Sequence, residues 1–254
     1  MDQFLNLWLT AAIILWVYAT LWFIVSVILQ RNDIADIAWG LGYCLLCVWL
    51  LLTQPSGPLT LLLYVLVGIW GLRLSVHIYL RNQGKGEDFR YKQWRNEWGK
   101  SFYWRSYLQV YLLQAFFLLI ISTPFLWASL FTFGWSLFTR VGLSIWAIGF
   151  LFQSIGDYQL AQFVKTKQPG EIMQRGLWKY SRHPNYFGEI LMWWGIYFMV
   201  LSLPNSWWTI ISPITITLLL VFVSGVPMLE KKYKGNIAYE AYKKRTWALV
   251  PKLW

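Results

Sequence analysis

The chain has 254 residues, of which 57% are apolar, 20% aromatic and only 13% charged. Soluble domains are about half apolar and about a quarter charged, so too little polar surface remains here to coat a water-soluble globule. A content of 19 Trp, 15 Tyr and 16 Phe excludes a disordered chain, which leaves a polytopic membrane protein whose net charge of +11 must be located before it is interpreted.

A crossing needs about 20 mostly apolar residues. In chain order the apolar runs predict seven spans, at 5–29, 34–53, 59–80, 106–131, 135–160, 187–203 and 208–229. Gln54-Pro55-Ser56-Gly57-Pro58 and Pro204-Asn205-Ser206 carry turn chemistry between antiparallel helices, and Pro124 predicts a kink in the fourth span. Nothing before Arg31 is basic, so the start lacks the positive region of a signal peptide. Neither an internal repeat nor a separable soluble segment is present. The expected fold is therefore an all-α, seven-helix membrane bundle forming one domain over 1–254, with loops at 81–105 and 161–186 and a tail at 230–254. Within the tail, Glu230 to Trp247 is expected to form an amphipathic helix on the membrane surface.

The basic residues fall on alternate links: Arg31, seven from Arg81 to Arg105, five from Lys165 to Arg182 and seven from Lys231 to Lys252. The positive-inside bias then places the N-terminus outside and the C-terminus in the cytosol. The charge is topology, and no nucleic-acid partner is expected, since that would need basic and aromatic residues interleaved on a soluble face. The expected location is a multi-pass integral membrane protein, in the inner membrane if bacterial, with its site facing the cytosol.

Ionisable groups within spans are costly and usually face a polar cavity or one another. Asp33, Asp36, Arg73, His77, Asp157 and Glu189 all fall in the expected cytosolic third. Gln153 and Asp157 are four residues apart and share a helix face, as do Asn185 and Glu189. Such convergence predicts an acidic, amide-lined pocket with Lys and Arg at its mouth, suited to an anionic ligand with a polar, near-neutral head. The structural alternative is a set of ion pairs between helices, for instance Arg73 with Asp36.

The link from Lys165 to Glu189 is the most informative stretch. It reads Arg175-Gly176-Leu177-Trp178-Lys179-Tyr180-Ser181-Arg182-His183-Pro184-Asn185-Tyr186-Phe187-Gly188-Glu189 over its second half. Pro184 suits the first turn of a helix, whose free N–H groups and positive dipole end attract anions. Arg175, Lys179 and Arg182 surround that end and are candidates to clamp phosphates.

These segments, together with Asp36-Ile37-Ala38-Trp39-Gly40, Gly84-Lys85-Gly86-Glu87-Asp88-Phe89-Arg90-Tyr91 and the Glu230, Tyr233, Tyr239, Tyr242 tail, resemble the steroid 5-alpha-reductase and sterol reductase superfamily, in particular its bacterial reductase-like branch. The resemblance implies NADPH entering from the cytosol and a flat, lipid-like substrate entering from the bilayer. It implies that Asn185 and Glu189 hold the nicotinamide carboxamide, that Asp157 faces the cofactor beside Gln153, and that Arg175 and Arg182 contact the phosphates. It also carries Arg90, Lys165, Tyr180, His183, Tyr186, Glu230 and Tyr233 into the cofactor-binding set. The family's helix-2 Gln-Glu pair is absent and its catalytic Tyr position falls at Ile78, so the proton donor is expected among Asp36, His77 and Tyr79.

The reaction so implied is NADPH-dependent reduction of a carbon–carbon double bond in a lipid-soluble enone, with a buried acid stabilising the developing enolate. A related Arg-His-Pro-Asn-Tyr string occurs in isoprenylcysteine carboxyl methyltransferases, which makes a membrane S-adenosylmethionine-dependent methyltransferase the alternative. Gly40 and Gly42 are the nearest approach to a Gly-x-Gly-x-x-Gly turn and lie within a span, which excludes a soluble Rossmann dehydrogenase. Cys44 and Cys47 read as small packing residues, and two His offer too few ligands for an expected metal site.

Overall fold

The computed structural model describes residues 2–231 and 233–252. Met1, and Lys232, Leu253 and Trp254 of the expected tail, lie outside the described residues. The chain forms two compact units, Met1–Gly134 and Trp135–Trp254, and among the described residues every regular element is helical.

The first unit holds α1 (Asp2–Leu29), α2 (Ile34–Thr53), α3 (Pro58–Asn82), α4 (Phe89–Trp98), α5 (Phe102–Ser106), α6 (Leu113–Ile121) and α7 (Thr123–Ala128). Pro58 sits in the first turn of α3, where its missing N–H is no loss. Side chains one and two turns apart on α2 and α3 (Tyr43, Leu46, Leu50, Leu63, Val67 and Trp70) are buried between the helices. By contrast, Ile13, Leu21 and Ile28 of α1 are each more than half exposed, as apolar side chains are where the surrounding solvent is lipid. Pro124 does more than kink its span: α6 stops at Ile121, and a new helix, α7, starts with Pro124 in its first turn.

The second unit holds α8 (Leu137–Thr166), α9 (Pro184–Val200), α10 (Ile211–Leu218), α11 (Val226–Lys231) and α12 (Ile237–Arg245). Glycines let α8 and α9 meet backbone to backbone. A Cβ on Gly149 would lie 2.6 Å from the Gly188 carbonyl oxygen, and one on Gly142 would lie 2.5 Å from that of Gly195. Real Cβ atoms do not approach so closely, so seven-residue glycine spacing on both helices fixes their antiparallel register. The short turn Gly176–Lys179 is tied to α8 by the Trp178 indole, which donates to the Gly156 carbonyl at 3.0 Å.

Among the described residues six helical segments are long and apolar enough to cross a membrane: Asp2–Leu29, Ile34–Thr53, Pro58–Asn82, Phe89–Ile121, Leu137–Thr166 and Ser206–Lys231. The protein is accordingly a multi-pass membrane protein by the length and composition of its helices. The expected sixth of seven spans is α9, whose 17 residues give about 26 Å at 1.5 Å per residue, short of a core roughly 30 Å thick. Helix α8 runs on to Thr166 rather than ending near 160, so Asp157 lies more than two turns from its end. The tail does not form one helix from Glu230 to Trp247, because the chain turns at 233–235 before α12 begins at Ile237.

Candidate functional site

Two cross-helix pairs define the polar centre of the second unit. The Gln153 side-chain amide on α8 donates to Glu189 Oε2 on α9 at 2.8 Å. One turn further along α8, Asp157 Oδ1 accepts from the Asn185 amide at 3.0 Å. The pairs follow from antiparallel geometry: residues four apart on each helix share a face, so 153 meets 189 and 157 meets 185. Gln153, Asp157 and Glu189 are all at most 6% exposed, an expensive placement for two carboxyls and one that a packing function alone does not require.

Two atoms beside these pairs are sealed from solvent without a hydrogen-bond partner, Asn185 Oδ1 and His183 Nδ1. Since the Asn185 amide nitrogen serves Asp157, its oxygen is left as a fixed acceptor. Native proteins rarely strand buried polar atoms, so such orphans mark where a ligand group would complete the bonding. Both precede or open α9, where Pro184 occupies the first turn and the dipole end is positive.

Behind this helix start lies an ionic knot. Arg182 donates through Nε to Glu230 Oε1 at 2.8 Å and through Nη1 to the carbonyl of Thr246. Lys243 Nζ reaches Glu230 Oε2 at 3.2 Å, and His183 Nε2 lies 3.4 Å from Glu230 Oε1. Burial pushes the His183 imidazole below its usual value, and the Glu230 carboxylate only partly offsets this. The Arg182 backbone N–H donates to the Trp247 carbonyl at 2.9 Å, and the Tyr242 hydroxyl donates to the Trp178 carbonyl. Arg182 and Glu230 thus fasten the tail to the start of α9.

The other expected cofactor residues of this unit are spread around its surface. Tyr186 stacks on the His183 ring at 5.5 Å, and Tyr233 stacks on Tyr239 at 4.6 Å. Lys165 is exposed in the last turn of α8. Arg175 is 82% exposed and pairs with Glu171 at 3.4 Å. Tyr180 is partly exposed beneath the Lys179 ammonium, 5.6 Å from its ring centre.

In the first unit the expected acid Asp36 is doubly bound. Arg90 Nη2 donates to Asp36 Oδ2 at 2.6 Å, and the Tyr91 hydroxyl donates to Oδ1 at 2.7 Å. The ion pair anticipated for Asp36 is therefore made by Arg90 of α4. Asp88 caps α4 by accepting from the Arg90 backbone N–H at 3.0 Å. Burial opposes ionisation of Asp88, but the hydrogen bonds and charge of Arg90 outweigh it and hold the carboxyl below its ordinary value. Neighbouring pairs, Arg31 with Asp33 at 2.7 Å and Arg95 with Glu87 at 2.9 Å, extend this network. His77 is half-buried on α3, whereas Tyr79 is 54% exposed.

Tyr91 and Lys243 were missing from the sequence-based set. Tyr91 had a readable signal, since an Asp-x-Arg-Tyr start to a polar helix puts its first turn against an acid-bearing neighbour. Lys243 had none, as its partner lies across a turn. No group of three His, Cys, Asp or Glu suited to a metal ion occurs among the described residues.

No curated protein matches the chain. Residues 22–246 match the model of a family described as Protein of unknown function (DUF1295), a match covering most of the chain, and the protein belongs to that family.

Proposed function

We propose that the protein is a membrane-embedded, NADPH-dependent reductase of a carbon–carbon double bond in a lipid-soluble enone, related to the steroid 5-alpha-reductase superfamily. The observation carrying this reading is the sealed, unpartnered Asn185 oxygen beside two buried amide–carboxylate pairs. A nicotinamide carboxamide has the matching chemistry: its NH2 would donate to Asn185 Oδ1 and its carbonyl would need a donor. The residues present fit the group. Asp157 holds the Asn185 amide in the orientation that leaves its oxygen available, and Gln153 does the same work for Glu189.

When bound, NADPH supplies the hydride. This chain supplies binding, orientation and proton management. Lys165, Arg175 and Lys179 are exposed cations available to phosphates, while Arg182 acts from behind by holding Glu230 and the tail. Of the proton donors expected from the sequence, Asp36 already accepts from both Arg90 and Tyr91, so His77 and Tyr79 are the proposed acids for the enolate. The Tyr91 hydroxyl and Arg90 guanidinium fix the orientation of Asp36. Acid assistance of this kind contributes about 100- to 10,000-fold.

The proposal includes α9 as a seventh span, with the N-terminus outside and the site facing the cytosol, supported by the one-sided distribution of Lys and Arg. The substrate would then reach the site from the bilayer. A second reading, an S-adenosylmethionine-dependent methyltransferase, is favoured by the buried Asp157 and Glu189 carboxyls, which would suit a cationic sulfonium. The test is turnover by the purified protein in lipid nanodiscs with 3-oxo-4-ene steroids and other apolar enones. The account expects oxidation of NADPH that requires the enone and is lost in Glu189→Ala. Methyl transfer from S-adenosylmethionine without NADPH oxidation would overturn it.

A further inference from the structure

The second unit carries another polar feature, a groove of about 550 Å3 between the link that precedes α9 and the C-terminal tail. None of the four residues of the buried pairs lines it. Its cations come from three separate segments: Lys179 ends the turn Gly176–Lys179, Arg245 closes α12, and Lys252 lies in the extended tail. Backbone contacts hold these walls in place. The Lys252 N–H donates to the Tyr180 carbonyl at 2.8 Å, and Ser181 bridges to Trp247.

Among the described residues no carboxylate side chain lines the groove. Glu230, the acid of the tail knot, is engaged by Arg182, His183 and Lys243. Among the described residues none of the three groove cations makes an ion pair, and Arg245 spends one N–H on the Gln174 side-chain oxygen. Three like charges are thus gathered at one cavity with no counter-charge among its described lining residues, an arrangement that attracts an anion. The remaining donors are the Tyr180 hydroxyl and the Gln174 side-chain NH2, which suit a tetrahedral oxyanion with several acceptor oxygens. Trp247 and Val250, interspersed with the lining residues, are about half exposed, the apolar company that a headgroup at a membrane interface would meet.

We propose that this groove binds a phosphate group, carried either by an anionic lipid or by a soluble phosphate ligand. The site stands whether or not the buried pairs hold nicotinamide. The experiment measures the melting temperature of the full-length protein in neutral detergent with phosphatidylglycerol, phosphatidylcholine or inorganic pyrophosphate added. The variants are K179Q/R245Q/K252Q and, as a control of equal charge change, K85Q/K92Q/K100Q. We expect phosphatidylglycerol or pyrophosphate to raise the melting temperature of the wild type and the control, with the rise lost in the groove variant. A response to phosphatidylglycerol alone assigns the site to lipid, and a response to pyrophosphate assigns it to a soluble ligand. No rise with either anion, an equal rise in the groove variant, or an equal rise with phosphatidylcholine overturns the proposal. Should the triple variant not fold, Lys252→Gln must by itself weaken the response.

Discussion

Gln153 of α8 donates its side-chain amide to Glu189 of α9 at 2.8 Å, inside a helix pair whose backbones touch at glycines. The pair makes a double-mutant cycle informative. Removing one partner takes a buried hydrogen bond from the other, at a cost of about 1–3 kcal/mol. Gln153→Leu alone is therefore expected to lower the melting temperature clearly. Gln153→Leu combined with Glu189→Leu is expected to recover much of that loss while leaving ligand response abolished. Thermal unfolding of the three variants in detergent checks this.

The glycine contact predicts a steric penalty. In Gly188→Ala the new methyl would lie 2.4 Å from the Gly149 carbonyl oxygen and 2.5 Å from the Gln153 nitrogen. Overpacking of this kind costs about 1–3 kcal/mol and would part the helices where the two polar pairs form. Gly68→Ala meets nothing within 4 Å, so its melting temperature should be unchanged or slightly raised. A comparison of the two variants separates crowding from helix propensity.

The ion pairs should differ in weight. Asp36 and Arg90 are each about one-fifth exposed, whereas the Arg175 side chain is 82% exposed in its pair with Glu171. Surface pairs contribute about 0–1 kcal/mol. Asp36→Asn takes one of two carboxylate partners from Arg90, which keeps Asp88, and an acceptor charge from Tyr91, so it should lower the melting temperature more than Arg175→Gln does. If the two shifts are equal, Asp36 does not anchor α4.

The tail should loosen in acid. The folded state keeps the His183 imidazole below its free value of about 6.5, so the unfolded state binds the extra proton first. Its contribution is intact above about pH 6.5 and is lost as the pH falls from there through the depressed folded value. Trypsin cleavage after residues 243–245 should accelerate over that window in the wild type. His183→Gln should flatten the pH dependence, and Glu230→Gln should raise cleavage at every pH by releasing Arg182 and Lys243.

Much of this was legible in the residues. Apolar run length located the helices, because a hydrocarbon core tolerates little else. The four-residue spacings within 153–157 and 185–189 located the buried pairs, and Pro184 marked the start of α9. The partners of Arg182 and Asp36 were not legible, since Glu230, Thr246 and Arg90 reach them by tertiary folding of turns that carry no periodic signal. The seven-residue spacing of Gly142, Gly149 and Gly156 was present in the sequence and, paired with Gly188 and Gly195, would have given the register of α8 on α9.

The central claim is that Asn185 and its neighbours hold a nicotinamide, and the melting temperature of the purified protein with NADPH or S-adenosylmethionine tests it most directly. The account predicts a rise with NADPH that is absent in Asn185→Ala and retained in K85Q/K92Q/K100Q, with no rise from S-adenosylmethionine. A rise with S-adenosylmethionine and none with NADPH, or an NADPH response unaffected by Asn185→Ala, would contradict it.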